Sequence, residues 1–175
     1  MGAARVTPHA LTVDAGTREL RAADHLLRTL AAGLALPDDV FGCTHLVHGE
    51  RPRVAVSLTR PGGPLPPGLA ERLARRGYAV APGLPDAAGR AVLYPGAAAL
   101  TGTLTVAELL ARSAIDAVRV LGAAGPAAPG TRLVTRDHVR PQWREGRLEL
   151  AAVPAAGDTL VPFEVPDPTP CCADH

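Results

Sequence analysis

The last five residues, Cys171-Cys172-Ala173-Asp174-His175, gather two thiols, a carboxylate and an imidazole. Thiolate and imidazole are the ligands that zinc-like ions prefer, and a carboxylate can add an oxygen donor. Adjacent cysteines alone cannot wrap a tetrahedral ion, because zinc sites usually leave roughly two to four residues between cysteines. A complete site must therefore borrow ligands from elsewhere. Cys43, His45 and His48 sit close together in the chain. If that stretch is a strand, Cys43 and His45 share a face and His48 points away. Cys43 and His45 could then join Cys171 and either Cys172 or His175 around one zinc-like ion. His48 and His138 would be left to orient the ligands.

The same residues admit other chemistry. A disulfide between Cys171 and Cys172 would close a small, strained and easily reduced ring. Cys43, or the terminal pair, could act as a nucleophile beside a base such as His138. Cysteine also packs as a small hydrophobe. On that reading the chain is a metal-free interaction or scaffold domain, whose proline-rich tail docks on the protein itself or on a partner. Metal binding is the first expectation, the scaffold the second, and a cysteine-dependent enzyme the third.

Arg132, Arg136, Arg140 and Arg144 recur every fourth residue. In an extended segment they share one face and could line an anion-binding surface. Asp137, Glu145 and Glu149 offset much of that charge, and a solvated sheet face with cross-strand ion pairs accounts for the same pattern. Other enzyme signatures are missing. There is no GxSxG, GxGxxG or P-loop, and Ser57 and Ser113 are the only serines.

The elements that must position these groups read as an α+β fold: about three helices packed on one or two small, mainly antiparallel sheets, with a β-rich C-terminal part. Residues 1–165 form one domain on this reading, with a subdomain break near 95–102, and 166–175 form a Pro-rich tail. Leu20, Ala23, Leu27, Leu30 and Leu34 follow the spacing of one buried helix face. They predict a helix from Arg18 to about Ala35, capped by Thr17, with Asp24 on its polar side. Gly42–His48 and Arg53–Thr59 read as a hairpin, by period-two alternation around a Gly/Pro turn. Pro66-Pro67 opens a short helix that Gly77 ends. Thr105-Val106-Ala107-Glu108 is a capping box, and the apolar stripe behind it predicts a helix as far as Leu121. The rest reads as strands, with a tight turn at Arg144-Glu145-Gly146.

Composition bounds the partners. The chain has 175 residues, enough to bury a core without disulfides. All 18 basic residues are Arg, Lys and Asn are absent, and Ile115 is the only isoleucine. That bias follows GC-rich codons, so Arg here fills surface places that Lys usually takes. The formal net charge of +1 gives no reason to expect nucleic acid or an anionic membrane as partner. The early residues have no apolar run resembling a signal sequence, and no stretch is long enough to span a bilayer. A cytoplasmic protein with reduced cysteines is expected.

Overall fold

The computed structural model describes residues 9–166. The chain divides into two compact units, one up to Pro95 and one from Gly96 onward. The fold is mixed α/β and strand-rich: eleven strands accompany three α-helices among the described residues. The expectation of helices packed on small sheets underestimated the strand content. Short strands with mixed burial patterns carry a weaker periodic signal than one amphipathic helix does.

The first unit is an antiparallel sheet with one helix across it. Its strands are β1 (Ala10–Asp14), β2 (Phe41–Val47), β3 (Arg53–Thr59), β4 (Ala79–Pro82) and β5 (Arg90–Leu93), in the order β4-β1-β3-β2-β5. Helix α1 (Leu20–Leu34) packs its Ala23, Leu27, Leu30 and Leu34 against Leu11, Val13, Val54, Val56 and Leu58. Gly42 makes the close approach possible, since a Cβ there would lie 3.0 Å from Leu27 Cδ2 and 2.8 Å from Leu93 Cδ1. Helix α2 (Leu69–Arg75) adds Leu69 and Leu73 to the same core. It ends in a Schellman turn, with Gly77 N–H donating to Ala74 O and Tyr78 N–H to Leu73 O.

Two details of α1 differ from the sequence pattern. The helix begins at Leu20, and Thr17 does not cap it. Thr17 instead donates its hydroxyl to Val54 O at 2.9 Å, while its own carbonyl accepts from Val54 N–H. Those bonds fasten the lead-in segment to β3. Asp24, expected on the polar face, is 5% exposed and meets Arg90 of β5 in a bidentate pair at 2.6 and 3.2 Å. Arg90 also donates to Thr44 Oγ1, so one buried guanidinium joins α1, β2 and β5.

The second unit contains β6 (Thr103–Thr105), α3 (Val106–Arg112), β7 (Ala117–Val120), β8 (Arg132–Val134), β9 (Gln142–Arg144), β10 (Arg147–Ala155) and β11 (Thr159–Pro162). The capping box forms as predicted: Thr105 Oγ1 accepts from Glu108 N–H, and Glu108 Oε2 accepts from Thr105 N–H. The expected continuation to Leu121 does not occur. Ser113 is extended, its hydroxyl bonds back to Leu109 O, and Val118 and Val120 belong to a strand parallel to β10. Beta-branched residues pack better on that pleated surface than on a helix. The expected turn is one residue shorter: Arg144 belongs to β9, and Glu145 and Gly146, both at positive φ, make a two-residue turn between β9 and β10. No described helix is long and apolar enough to cross a membrane.

Candidate functional site

The sheet of the first unit has two faces, and its alternation decides their chemistry. Leu11, Val13, Val54, Val56 and Leu58 point at α1. The intervening residues form the other face, and the strand register sets them in rows. One row runs Ala79–Asp14 on β4 and β1, then Ala55–His45 on β3 and β2. The next runs Ala81–Thr12–Ser57–Cys43. Most of these side chains are small, so the face leaves a hollow instead of presenting a ridge.

A cavity of about 560 Å³ occupies that hollow. Thr12, Ala55, Ala79 and Ala81 line it, and Leu46, Val47 and Val80 also border it. Leu46 is 52% exposed, unusual for a leucine on an otherwise buried strand. Polar groups sit at the margins. Asp14 and Arg53 form an ion pair across β1 and β3. His48 is exposed at one end. The segment Pro85-Asp86-Ala87 supplies a wall.

His45 holds that wall in place. Its Nδ1 lies 3.0 Å from Ala87 O, and its Nε2 lies 2.7 Å from Ser57 Oγ. A carbonyl can only accept, so Nδ1 carries the proton. Burial lowers the His45 pKa below its ordinary value, more than the Ala87 hydrogen bond raises it. The ring is therefore neutral near pH 7, and Nε2 accepts from the Ser57 hydroxyl. This geometry matches a nucleophile and an oriented base. Ser57, however, is only 1% exposed, so its oxygen serves as a buried hydrogen-bond donor.

Cys43 and His45 sit on one face of β2, as their spacing implies, and both are buried. Cys171, Cys172 and His175 lie outside the described residues. Among the described residues no group of three or more His, Cys, Asp or Glu is arranged to hold a metal ion. His138 is paired with Glu164 at 2.9 Å. The four arginines do not lie on one strand. Arg132 is on β8, Arg136 sits in a turn at φ 54, Arg140 precedes β9 and Arg144 is on β9. Arg140 and Arg144 do line one pocket together.

Sequence reasoning missed Ser57, Asp86 and the hollow itself. The strand limits read from the sequence, Gly42–His48 against Arg53–Thr59, set Cys43 opposite Leu58, one residue off the observed register in which Cys43 pairs with Ser57. No protein-family model, curated protein or solved structure matches this chain.

Proposed function

We propose that the chain is a binding module, and that the groove of its first unit takes a small molecule with an apolar body and a cationic end. One observation carries this reading. A cavity of ligand size has at its wall the carboxylate of Asp86, which makes no hydrogen bond or ion pair among the described residues. Small-molecule sites typically enclose roughly 300–1,000 Å³, with an apolar lining and a few oriented polar groups. Asp14 is already matched by Arg53, which leaves Asp86 as the charge a ligand can answer. An ammonium or guanidinium group fits that role.

The test is a titration of the isotopically labelled full chain with phenethylamine and with its neutral analogue 2-phenylethanol, read by amide NMR. Saturable shifts at Thr12, Leu46, Val80 and Asp86, stronger for the amine, are expected. Equal response to both compounds removes the cationic end from the proposal, and no saturable shift in these residues removes the groove.

A second reading keeps a zinc-like ion, held by Cys43 and His45 with Cys171, Cys172 and His175. The placement of Cys43 and His45 two residues apart on β2 favours it. It requires His45 to give up its bond to Ala87 O or to Ser57. Near-stoichiometric metal that disappears on truncation after Pro170 would support it. Metal-free protein in both forms would exclude it.

A further inference from the structure

We infer that the second unit carries a separate site for an oxyanion, a carboxylate or phosphate group borne on an apolar body. A pair of like charges marks the site. Arg144 and Arg147 are Cα partners across the β9–β10 hairpin. Their side chains therefore stand side by side on one face, where like charges repel. Neither makes a side-chain hydrogen bond or ion pair among the described residues. A sheet that served only as scaffold would gain by replacing either one.

The surroundings concentrate more positive charge. A cavity of about 140 Å³, large enough for a carboxylate or phosphate group, is lined by Arg119, Arg140, Gln142 and Arg144. Arg119 on β7, Gln142 and Arg144 on β9 and Ala151 on β10 share one face of the strands by their register. Arg140 reaches the cavity from the segment before β9 and is 9% exposed, so its charge acts through little water. Two carboxylates also line the cavity, and each has a basic side chain beside it. Glu149 lies 3.8 Å from Arg119, too far for a hydrogen bond, and Glu164 is bonded to His138. The lining therefore keeps an excess of one positive charge, before Arg147 is counted.

Phe163 supplies the second half of the recognition. It lines the same cavity and is 63% exposed. An aromatic ring beside a cluster of guanidinium groups suits a ligand whose anionic group enters the cavity and whose apolar body covers the ring. This site does not depend on the first-unit groove, and its ligand charge is opposite.

The test is isothermal titration of the full chain with phenyl phosphate, phenylacetate, inorganic phosphate and benzyl alcohol. Trp143, the only tryptophan, lies between Gln142 and Arg144 in β9 but on the opposite strand face by register, so its fluorescence is followed only as a check on the fold during titration. Phenyl phosphate and phenylacetate should bind saturably, and benzyl alcohol should not. Arg144→Gln should weaken the anions about tenfold, the size of one charge-assisted hydrogen bond. The same variant should melt at or above the wild-type temperature, because it removes a repulsion. Phe163→Ser should weaken phenyl phosphate but leave inorganic phosphate unchanged. An unchanged affinity in Arg144→Gln, or a neutral ligand that binds as well as the anions, would overturn the site. A lowered melting temperature in Arg144→Gln with no anion binding to wild type would assign Arg144 a structural role instead.

Discussion

The Ser57 hydroxyl donates to His45 Nε2 at 2.7 Å, across the ladder that joins β2 to β3. The other ring nitrogen of His45 holds the carbonyl of Ala87, forty-two residues away in the chain. One neutral imidazole thus ties a sheet face to the wall of the groove on that face. A hydrogen bond that resembles catalytic machinery here fixes the shape of a cavity.

That bond makes stability depend on pH in a defined direction. The His45 pKa is lowered in the folded state from an ordinary value of 6.5, chiefly by burial. As pH falls, the unfolded chain takes up the proton first. The stabilisation is fully present above 6.5, declines as pH drops through that value and is lost once the folded-state pKa is passed. Denaturant titrations from pH 8 to pH 5 should show this decline, with a slope from this group of at most about 1.4 kcal/mol per pH unit. His45→Gln should flatten the profile relative to wild type. A variant with the same pH slope would show that another group carries the dependence.

The buried Asp24–Arg90 pair makes an asymmetric prediction. Asp24→Ala leaves a buried guanidinium without its carboxylate and should cost about 3–5 kcal/mol in denaturant unfolding. Replacing both residues, as Asp24→Leu with Arg90→Met, should recover most of the loss, because two desolvation penalties disappear together. A double variant as unstable as the single one would mean that the pair contributes more than charge compensation.

Gly96 is constrained by sterics alone. Its φ is +82°, and a Cβ would fall 2.0 Å from Arg112 O, a backbone atom that cannot swing aside. Gly96→Ala should therefore destabilise the second unit by about 1–3 kcal/mol or more. Hydrogen exchange should localise the loss to the C-terminal end of α3.

At the other end of α3, Thr105→Ala should cost about 1 kcal/mol by removing the acceptor for Glu108 N–H. The Thr105 backbone N–H and hydroxyl, with Arg112 as a smaller influence, hold the Glu108 carboxyl below its usual range. In the variant that carboxyl should titrate closer to an ordinary glutamate, as side-chain NMR can measure.

How much of this was legible in the sequence follows from how local each signal is. The α1 stripe, the β2–β3 hairpin, the turn before β10 and the capping box are set within a few residues, and all four form, with the hairpin register and the turn each one residue from the reading. Failures came where distant partners decide. Asp24 looks solvated until Arg90 arrives from 66 residues away. The segment Ala117–Val120 suits a helix stripe until β10 offers it a parallel edge. The groove was hidden for the same reason. Ala55, Ala79 and Ala81 are unremarkable singly and form a hollow only when the register aligns them. The Arg132–Arg144 spacing suggested one extended face, but positive φ at Arg136 and Asp137 interrupts it.

The most direct test of the groove uses Ala81→Arg, since Ala81 is exposed and its side chain lines the floor beside Thr12. Phenethylamine binding to wild type and variant should be compared by NMR titration of the full chain, with unfolding curves for both. The variant should keep its fold and near-wild-type stability and bind at least tenfold more weakly, as a bulky cation fills the cavity and repels the amine. Undiminished binding in a correctly folded variant would contradict the groove as the site and place the ligand elsewhere on the chain.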